Sequence, residues 1–165
     1  MTSSTTVERM SERELAITRT FNGLVRVVYE AWTKPALLKR WWAPKSSGMS
    51  LVTCEANVRA GGKYRFVFGK EGMKPMEFFG RYLEVTPELR LVWTNDEGED
   101  GGAVTTVAFE EKGAQTEVVV SELYPSKEAL DAAIASDMEA GMRETHDQLD
   151  ELLVALAASA RPATP

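Results

Sequence analysis

The stretch Ser136-Asp137-Met138-Glu139-Ala140-Gly141-Met142-Arg143-Glu144-Thr145-His146-Asp147-Gln148-Leu149-Asp150-Glu151-Leu152-Leu153-Val154-Ala155-Leu156 decides the architecture. Met138, Met142, His146, Leu149, Leu153 and Leu156 recur at steps of three and four, which places them on one face of a helix. Ser136 and Glu139 fit a capping box, in which the serine oxygen and the glutamate each satisfy an orphan amide at the helix start. A helix from Asp137 to Ala158 is about 33 Å long, enough to cross a whole sheet. Small residues with Pro162 and Pro165 end it. Ser126 caps a shorter helical segment through Ile134 just before it.

Upstream the hydrophobic period is two. Val52, Cys54, Ala56 and Val58 alternate with polar residues, as do Tyr64, Phe66 and Phe68 after the Gly61-Gly62 turn. Further runs cover Met76 to Thr86, Leu89 to Thr94, Ala103 to Glu110 and Thr116 to Tyr124, separated by turn residues such as Gly72, Pro75 and Gly113. Regularly spaced turns between such runs indicate an antiparallel meander. Arg13 to Phe21 is an earlier strand. Leu24, Val27, Val28 and Ala31 then show helical spacing, and Pro35 suits the first turn of a second short helix ending at Trp41.

The order is therefore strand, two short helices, meander and long helix. Each run alternates apolar with polar residues, so the sheet buries one face. Only the last helix is long enough to cover that face. The expectation is an α+β fold with a curved antiparallel sheet of about six or seven strands wrapped on the C-terminal helix, the two short helices closing one end. A cavity is expected between sheet and helix.

The chain has 165 residues, 44% hydrophobic and 27% charged, which suits one globular domain. Residues 1–12 read as a flexible polar tail, 13–158 as the single domain and 159–165 as a second tail. Its 19 basic and 25 acidic residues give a net charge of −6, which argues against nucleic-acid and anionic-membrane partners. One cysteine, Cys54, and one histidine, His146, exclude an internal disulfide, a multi-cysteine zinc site and paired-histidine metal motifs. No secretory signal and no run of about 18 apolar residues is visible, so a cytoplasmic setting is expected.

Ala31-Trp32-Thr33-Lys34-Pro35 followed by Trp41-Trp42-Ala43-Pro44 resembles a signature of the START-like (SRPBCC, Bet v-type) superfamily. The branch resembled is that of the C-terminal domain of the activator of the heat-shock-protein-90 ATPase. Cys54 to Tyr64, Gly80 to Val85, Arg90 to Thr94 and Gly141-Met142 continue the likeness over residues 13–156. The resemblance implies a helix-grip fold for residues 13–158, with the arrangement already reached from periodicity. It also implies kinship with stress-response proteins. Asn57, Met142 and His146 depart from the branch, which commonly has aspartate, tryptophan and leucine there.

The ligand-binding candidates are Trp41, Tyr64, Phe66, Phe68, Phe79, Trp93, Val118 and Val120, with Met138, Met142, His146 and Leu149 from the long helix. The parity of residues 78–85 is open, because both Phe78/Tyr82 and Phe79/Leu83/Val85 satisfy a one-sided strand. Such stripes make either plain core or the wall of a ligand site. His146 reads in two ways: a polar anchor or proton-transfer group in an apolar pocket, or a half-buried histidine paired with a strand carbonyl or Asp150. Trp32, Trp41 and Trp42 are packing groups, one of the last two standing at a pocket mouth in the alternative reading. Cys54 reads as a small buried strand residue without an activating neighbour. Residues 95–102 are an acidic hairpin loop too short for an EF-hand. Glu84 and Glu122 approach the cavity by strand parity.

No phosphate loop, nucleophile elbow or paired-carboxylate motif occurs. No catalytic residue, cofactor or metal is therefore assigned. The expected function is binding of a small hydrophobic molecule, lipid-like or aromatic, between sheet and long helix. Two alternatives stand beside it: an activator-like role on a chaperone ATPase, implied by the resemblance, and cyclase- or hydrolase-type chemistry in the same cavity. The sequence leaves the oligomeric state open, a homodimer included.

Overall fold

The computed structural model describes residues 5–96, 102–136 and 138–160, with the side chains of 158–160 excepted. Its elements are β1 (Thr6–Arg9), β2 (Glu14–Phe21), α1 (Val25–Thr33), α2 (Pro35–Trp41), β3 (Ser50–Ala56), β4 (Lys63–Gly69), β5 (Met76–Thr86), β6 (Arg90–Thr94), β7 (Val104–Lys112), β8 (Gln115–Leu123), α3 (Lys127–Ala135) and α4 (Met138–Ala160). The eight strands form one antiparallel sheet in the order β1-β2-β8-β7-β6-β5-β4-β3. This is the expected curved sheet with a long C-terminal helix, one strand larger than read from the sequence.

The extra strand is β1, which lies inside the segment expected to be a loose tail. Thr6 pairs with Thr18 and Arg9 with Leu15, so Val7 meets Ile17 across the ladder. A segment with one apolar residue carries no period-two signal. It becomes a strand because the edge of β2 offers unpaired amides and carbonyls. Arg143 on α4 donates to the Thr5 carbonyl and fastens the same segment from the helix side.

Strands β3 to β8 follow one another as neighbours, while β2 attaches beyond β8. The connection from β2 to β3 must therefore pass across the whole meander, and α1 and α2 make that crossing. Val28, Ala31 and Trp32 of α1 and Leu38 and Trp41 of α2 are buried. Of the residues read at helical spacing, Val28 and Ala31 face the core, Val27 is half-buried, and Leu24 is the exposed N-cap of α1. The Trp41 indole N–H donates to the Ala31 carbonyl at 2.9 Å, which locks the second helix onto the first. Ser126 accepts from the Ala129 amide at the start of α3, as its capping role requires. The Ser136 hydroxyl donates to the Ala133 carbonyl at the end of α3. The Ser136 amide donates to the Ala132 and Ala133 carbonyls and the Glu139 carboxylate accepts from Arg143, which departs from the proposed capping box. Position 137 between them lies outside the described residues, as do positions 97–101 of the acidic loop.

Two cross-strand rows line the concave face. Ile17, Val120, Val107 and Leu91 lie side by side and are all buried. Leu15, Glu122, Thr105, Trp93 and Tyr82 form the next row. The α4 residues Leu149, Leu152 and Leu153 complete the core from the opposite side. Each such aliphatic side chain removed from water contributes about 1.5–3 kcal/mol.

The parity left open in β5 is settled by its partner. Phe66 is buried, and Phe78 stands directly opposite it. Directly opposed residues share a face, so Phe78 and Tyr82 point inward. Phe79 pairs with Arg65 and is 40% exposed, and Leu83 is 47% exposed, which corrects their assignment as cavity candidates. Gly80 occurs where β5 passes closest to the neighbouring chain: a Cβ there would lie 2.1 Å from the Thr94 carbonyl oxygen and 2.9 Å from the Tyr64 ring. Among the described residues no helix is long and apolar enough to cross a membrane.

Candidate functional site

A cavity of about 280 Å³ opens between the concave face of the sheet and the first half of α4. Its walls come from three directions. Trp32, Trp41, Trp42 and Pro44 supply the short-helix side, Trp93 and Val120 the sheet, and Met138, Met142 and His146 the long helix. Gly141, one turn from His146, also lines it and contributes space in place of a side chain.

All four tryptophans of the chain thus meet at one site. The Trp32 ring centre lies 4.8 Å from that of Trp41 and 5.7 Å from that of Trp42, with interplanar angles of 68° and 89°. Trp42 and Trp93 are 6.4 Å apart. Edge-to-face arrangement suits the ring quadrupoles and gives stiff, apolar walls. Trp41 has its N–H satisfied by Ala31, whereas the buried Trp32 Nε1 has no hydrogen-bond partner among the described residues.

The polar end of the cavity is built on the row that carries Trp93. Asn95 donates to the Ala103 carbonyl at 2.6 Å and to Thr105 Oγ1 at 3.1 Å. Tyr64 donates to the Thr94 carbonyl at 2.6 Å. Glu122, directly across from Thr105, accepts from the Tyr124 hydroxyl at 2.8 Å. Burial pushes the Glu122 carboxyl above its ordinary range, and the Tyr124 hydrogen bond opposes that shift without cancelling it. The same burial, with the Glu122 carboxylate beside it, pushes the Tyr124 phenol up.

His146 is 3% exposed and packs edge-on against Phe21, 5.6 Å away, and Trp32, 6.2 Å away. Its Nδ1 has no hydrogen-bond partner among the described residues. Asp150, a partner considered for it, instead receives the Arg19 guanidinium, which also donates to Asp147 at 2.8 Å. Burial, helped by the charge of Arg19, pushes the imidazole down to about 4, so the ring is neutral near pH 7 and is a polar, uncharged wall of the cavity.

A second cavity of about 270 Å³ adjoins the first. It is lined by Tyr64, Phe66, Phe68 and Phe78 and shares Trp42, Trp93 and Asn95 with it. The two indoles thus stand as a partition between two chambers.

The sequence candidates divide accordingly. Trp41, Trp93, Val120, Met138, Met142 and His146 line the first cavity, and Tyr64, Phe66 and Phe68 the second. Val118 and Leu149 are fully buried core residues that line neither, and Phe79 lies on the outer face. Trp32 and Trp42, read as packing groups, are walls. Thr105 and Thr145 were not among the candidates, and Glu122, read as approaching the cavity by strand parity, lines the first cavity. Parity signals Thr105 as well as Glu122, since Thr105 continues Val107 and Phe109, and Glu122 continues Val118 and Val120. Thr145 and Gly141 widen the helix stripe that Met138, Met142 and His146 define. Glu84 approaches no cavity: its carboxylate lies 3.5 Å from Arg90 and accepts from Thr86. Cys54 is half-buried on β3, with its thiol pushed up to about 11 by burial, which keeps it protonated and unreactive.

Comparison with known proteins places this geometry in a family. Residues 24–154 match the family model described as "Activator of Hsp90 ATPase homolog 1-like protein". No match was found among curated proteins. A crystal structure of a protein from Rhodobacter sphaeroides is 26% identical with a TM-score of 0.85, over 92% of this chain and 99% of that one. A protein from Nitrosomonas europaea is 24% identical with a TM-score of 0.82, over 91% and 99% of the two chains. The AHSA1-like protein from Aeromonas hydrophila is 17% identical with a TM-score of 0.69, again over 91% and 99%. The fold is thus that of the START-like helix-grip proteins, and the chain belongs to the family of activator of Hsp90 ATPase homolog 1-like proteins.

Proposed function

We propose that the protein binds a small hydrophobic molecule, aromatic or lipid-like, in the cavity between the sheet and α4. The observation that carries this reading is the open space of about 280 Å³ walled by four indoles and two methionines. A chain that needed only a core would fill such a space, because a void forfeits the contacts of every atom that lines it. The volume lies near the lower end for small-molecule sites, and an apolar wall with a few polar groups is their usual character. Met138 and Met142 suit a site that adjusts to the shape of its ligand. Catalysis has no comparable support, since the lowered pKa of His146 makes it a weak base and no nucleophile hydrogen-bonded to a base lines the cavity among the described residues.

Native mass spectrometry of the purified protein beside its denatured mass tests the reading directly. An adduct that disappears on denaturation supports it and supplies the ligand's mass. Titration with 2-naphthalenemethanol, followed by tryptophan fluorescence and melting temperature, is the complementary measurement. Ligand at one hundred times Kd raises stability by about 2.7 kcal/mol. Absence of an adduct together with absence of any response to apolar probes removes the proposal. The family's description supports a second reading, stimulation of a heat-shock ATPase, and a rise in ATP hydrolysis by such a chaperone without added ligand would favour it.

A further inference from the structure

The cavity has a one-sided electrostatic character. Among the described residues that line it, Glu122 is the only carboxylic acid, and none is a lysine or arginine. The one buried cation on the same face of the sheet, Arg19, is already engaged by Asp147, Asp150 and Thr5. His146 contributes no charge near neutral pH. The indole faces carry the negative lobe of their quadrupole, which attracts cations. Every described group that meets the interior is therefore acidic, π-rich or neutral.

Glu122 is held in this setting by its neighbours. Its place in the row of Leu15, Thr105 and Trp93 directs it to the concave side, and among the described residues Tyr124 supplies its one hydrogen bond. A carboxylate has about four acceptor sites, so one hydrogen bond leaves capacity for a donor brought by a ligand. A ligand carboxylate would meet like charge in a low-dielectric space with no cation to offset it. An ammonium would instead restore to Glu122 the partner that burial removes.

We propose that the cavity selects apolar molecules bearing a basic nitrogen, the ammonium pairing with Glu122 while Trp32, Trp42 and Trp93 enclose the apolar body. This rests on the ligand-binding reading above and adds to it the charge class of the ligand. Lipids and aromatics with an acidic head are disfavoured by the same arrangement.

The test uses three probes of one shape on the full chain near neutral pH: 2-naphthylmethylamine, 2-naphthalenemethanol and 2-naphthoate, with affinities measured by calorimetry. The expected result is that the amine binds at least about tenfold tighter than the alcohol, about 1.4 kcal/mol, and that the carboxylate binds weakest. In Glu122→Gln the amine and the alcohol converge to within about twofold. Glu122→Asp, which keeps the charge and shortens the reach, retains the amine preference in reduced form and serves where the glutamine variant does not fold. Equal binding of amine and alcohol by the wild-type protein, or a preference that survives Glu122→Gln, overturns the charge assignment and leaves the cavity reading standing. A preference for the alcohol shows Glu122 to be a protonated donor and overturns it likewise. Failure of all three probes to bind the folded wild-type protein overturns the charge assignment, and together with the absence of a native-state adduct it removes the cavity reading as well.

Discussion

Gln148 holds the chain that follows Trp41. Its amide nitrogen donates to the Trp41 carbonyl at 3.0 Å and to the Ala43 carbonyl at 2.9 Å, and its oxygen accepts from the Lys45 amide at 2.9 Å. One side chain of α4 thereby satisfies three backbone groups that the end of α2 leaves unpaired. The segment so held carries Trp42 and Pro44, two walls of the cavity. A residue with no apolar content thus connects the long helix to the shape of the binding site.

Gln148→Leu is expected to lower stability by about 3 kcal/mol, because it leaves two carbonyls and an amide without partners in a buried place. Urea denaturation measures the loss. Tryptophan emission of the native variant should also shift to the red as Trp42 gains solvent. An unchanged midpoint would show that the three bonds are replaced by water at no cost.

His146 makes stability depend on pH. Its folded-state pKa is pushed down to about 4 from an ordinary value of 6.5, so the fold favours the neutral ring. Its contribution is full above 6.5 and is lost as pH falls toward 4, on the order of 3 kcal/mol in all. Glu122 acts in the opposite sense over an overlapping range, because its raised pKa stabilises the fold at low pH and less as pH rises through the folded-state value. The informative quantity is therefore the difference between wild type and His146→Leu. That difference should shrink steadily from pH 6.5 to pH 4.5, and parallel curves would refute it.

Gly80→Ala is expected to destabilise by about 3 kcal/mol or more, since the added methyl would overlap the Thr94 carbonyl, a backbone atom that cannot rotate away. Thermal unfolding reports it. The same methyl at Gly61, where nothing lies within 4 Å, tests backbone conformation alone, because its φ of 84° disfavours a side chain there. A larger loss at Gly61 than at Gly80 would place the strain in the turn.

Met142→Trp introduces the residue common at this position in the branch that the sequence resembles. It projects into the cavity from α4, beside Gly141. Binding of 2-naphthalenemethanol should weaken by about tenfold or more, with the melting temperature preserved or raised as the void fills. Undiminished binding would mean that the probe occupies the second chamber, behind Trp42 and Trp93.

Much of the fold was legible because it rests on repetition. Val118 and Val120 on β8, or Met138, Met142 and Leu149 on α4, declare a face through spacing alone. β1 was not legible, because Thr6-Val7-Glu8-Arg9 has no pattern and is ordered only by the edge of β2. The site was legible in part. Met142 and His146 follow from the helix stripe and Trp93 from strand parity. Phe79 was misplaced, since a strand with aromatic residues at consecutive positions carries two equally good parities.

What the sequence by itself determined is the succession of elements and the buried face of most of them, both properties of neighbours along the chain. The tertiary structure alone decided that four tryptophans separated by up to 61 positions (Trp32 to Trp93) converge, that Arg19 rather than His146 engages Asp150, and that Gln148 holds the backbone after Trp41. Those relations depend on register and on which chain ends need hydrogen-bond partners once packed. No local spacing encodes them, because both partners of each contact come from distant parts of the chain.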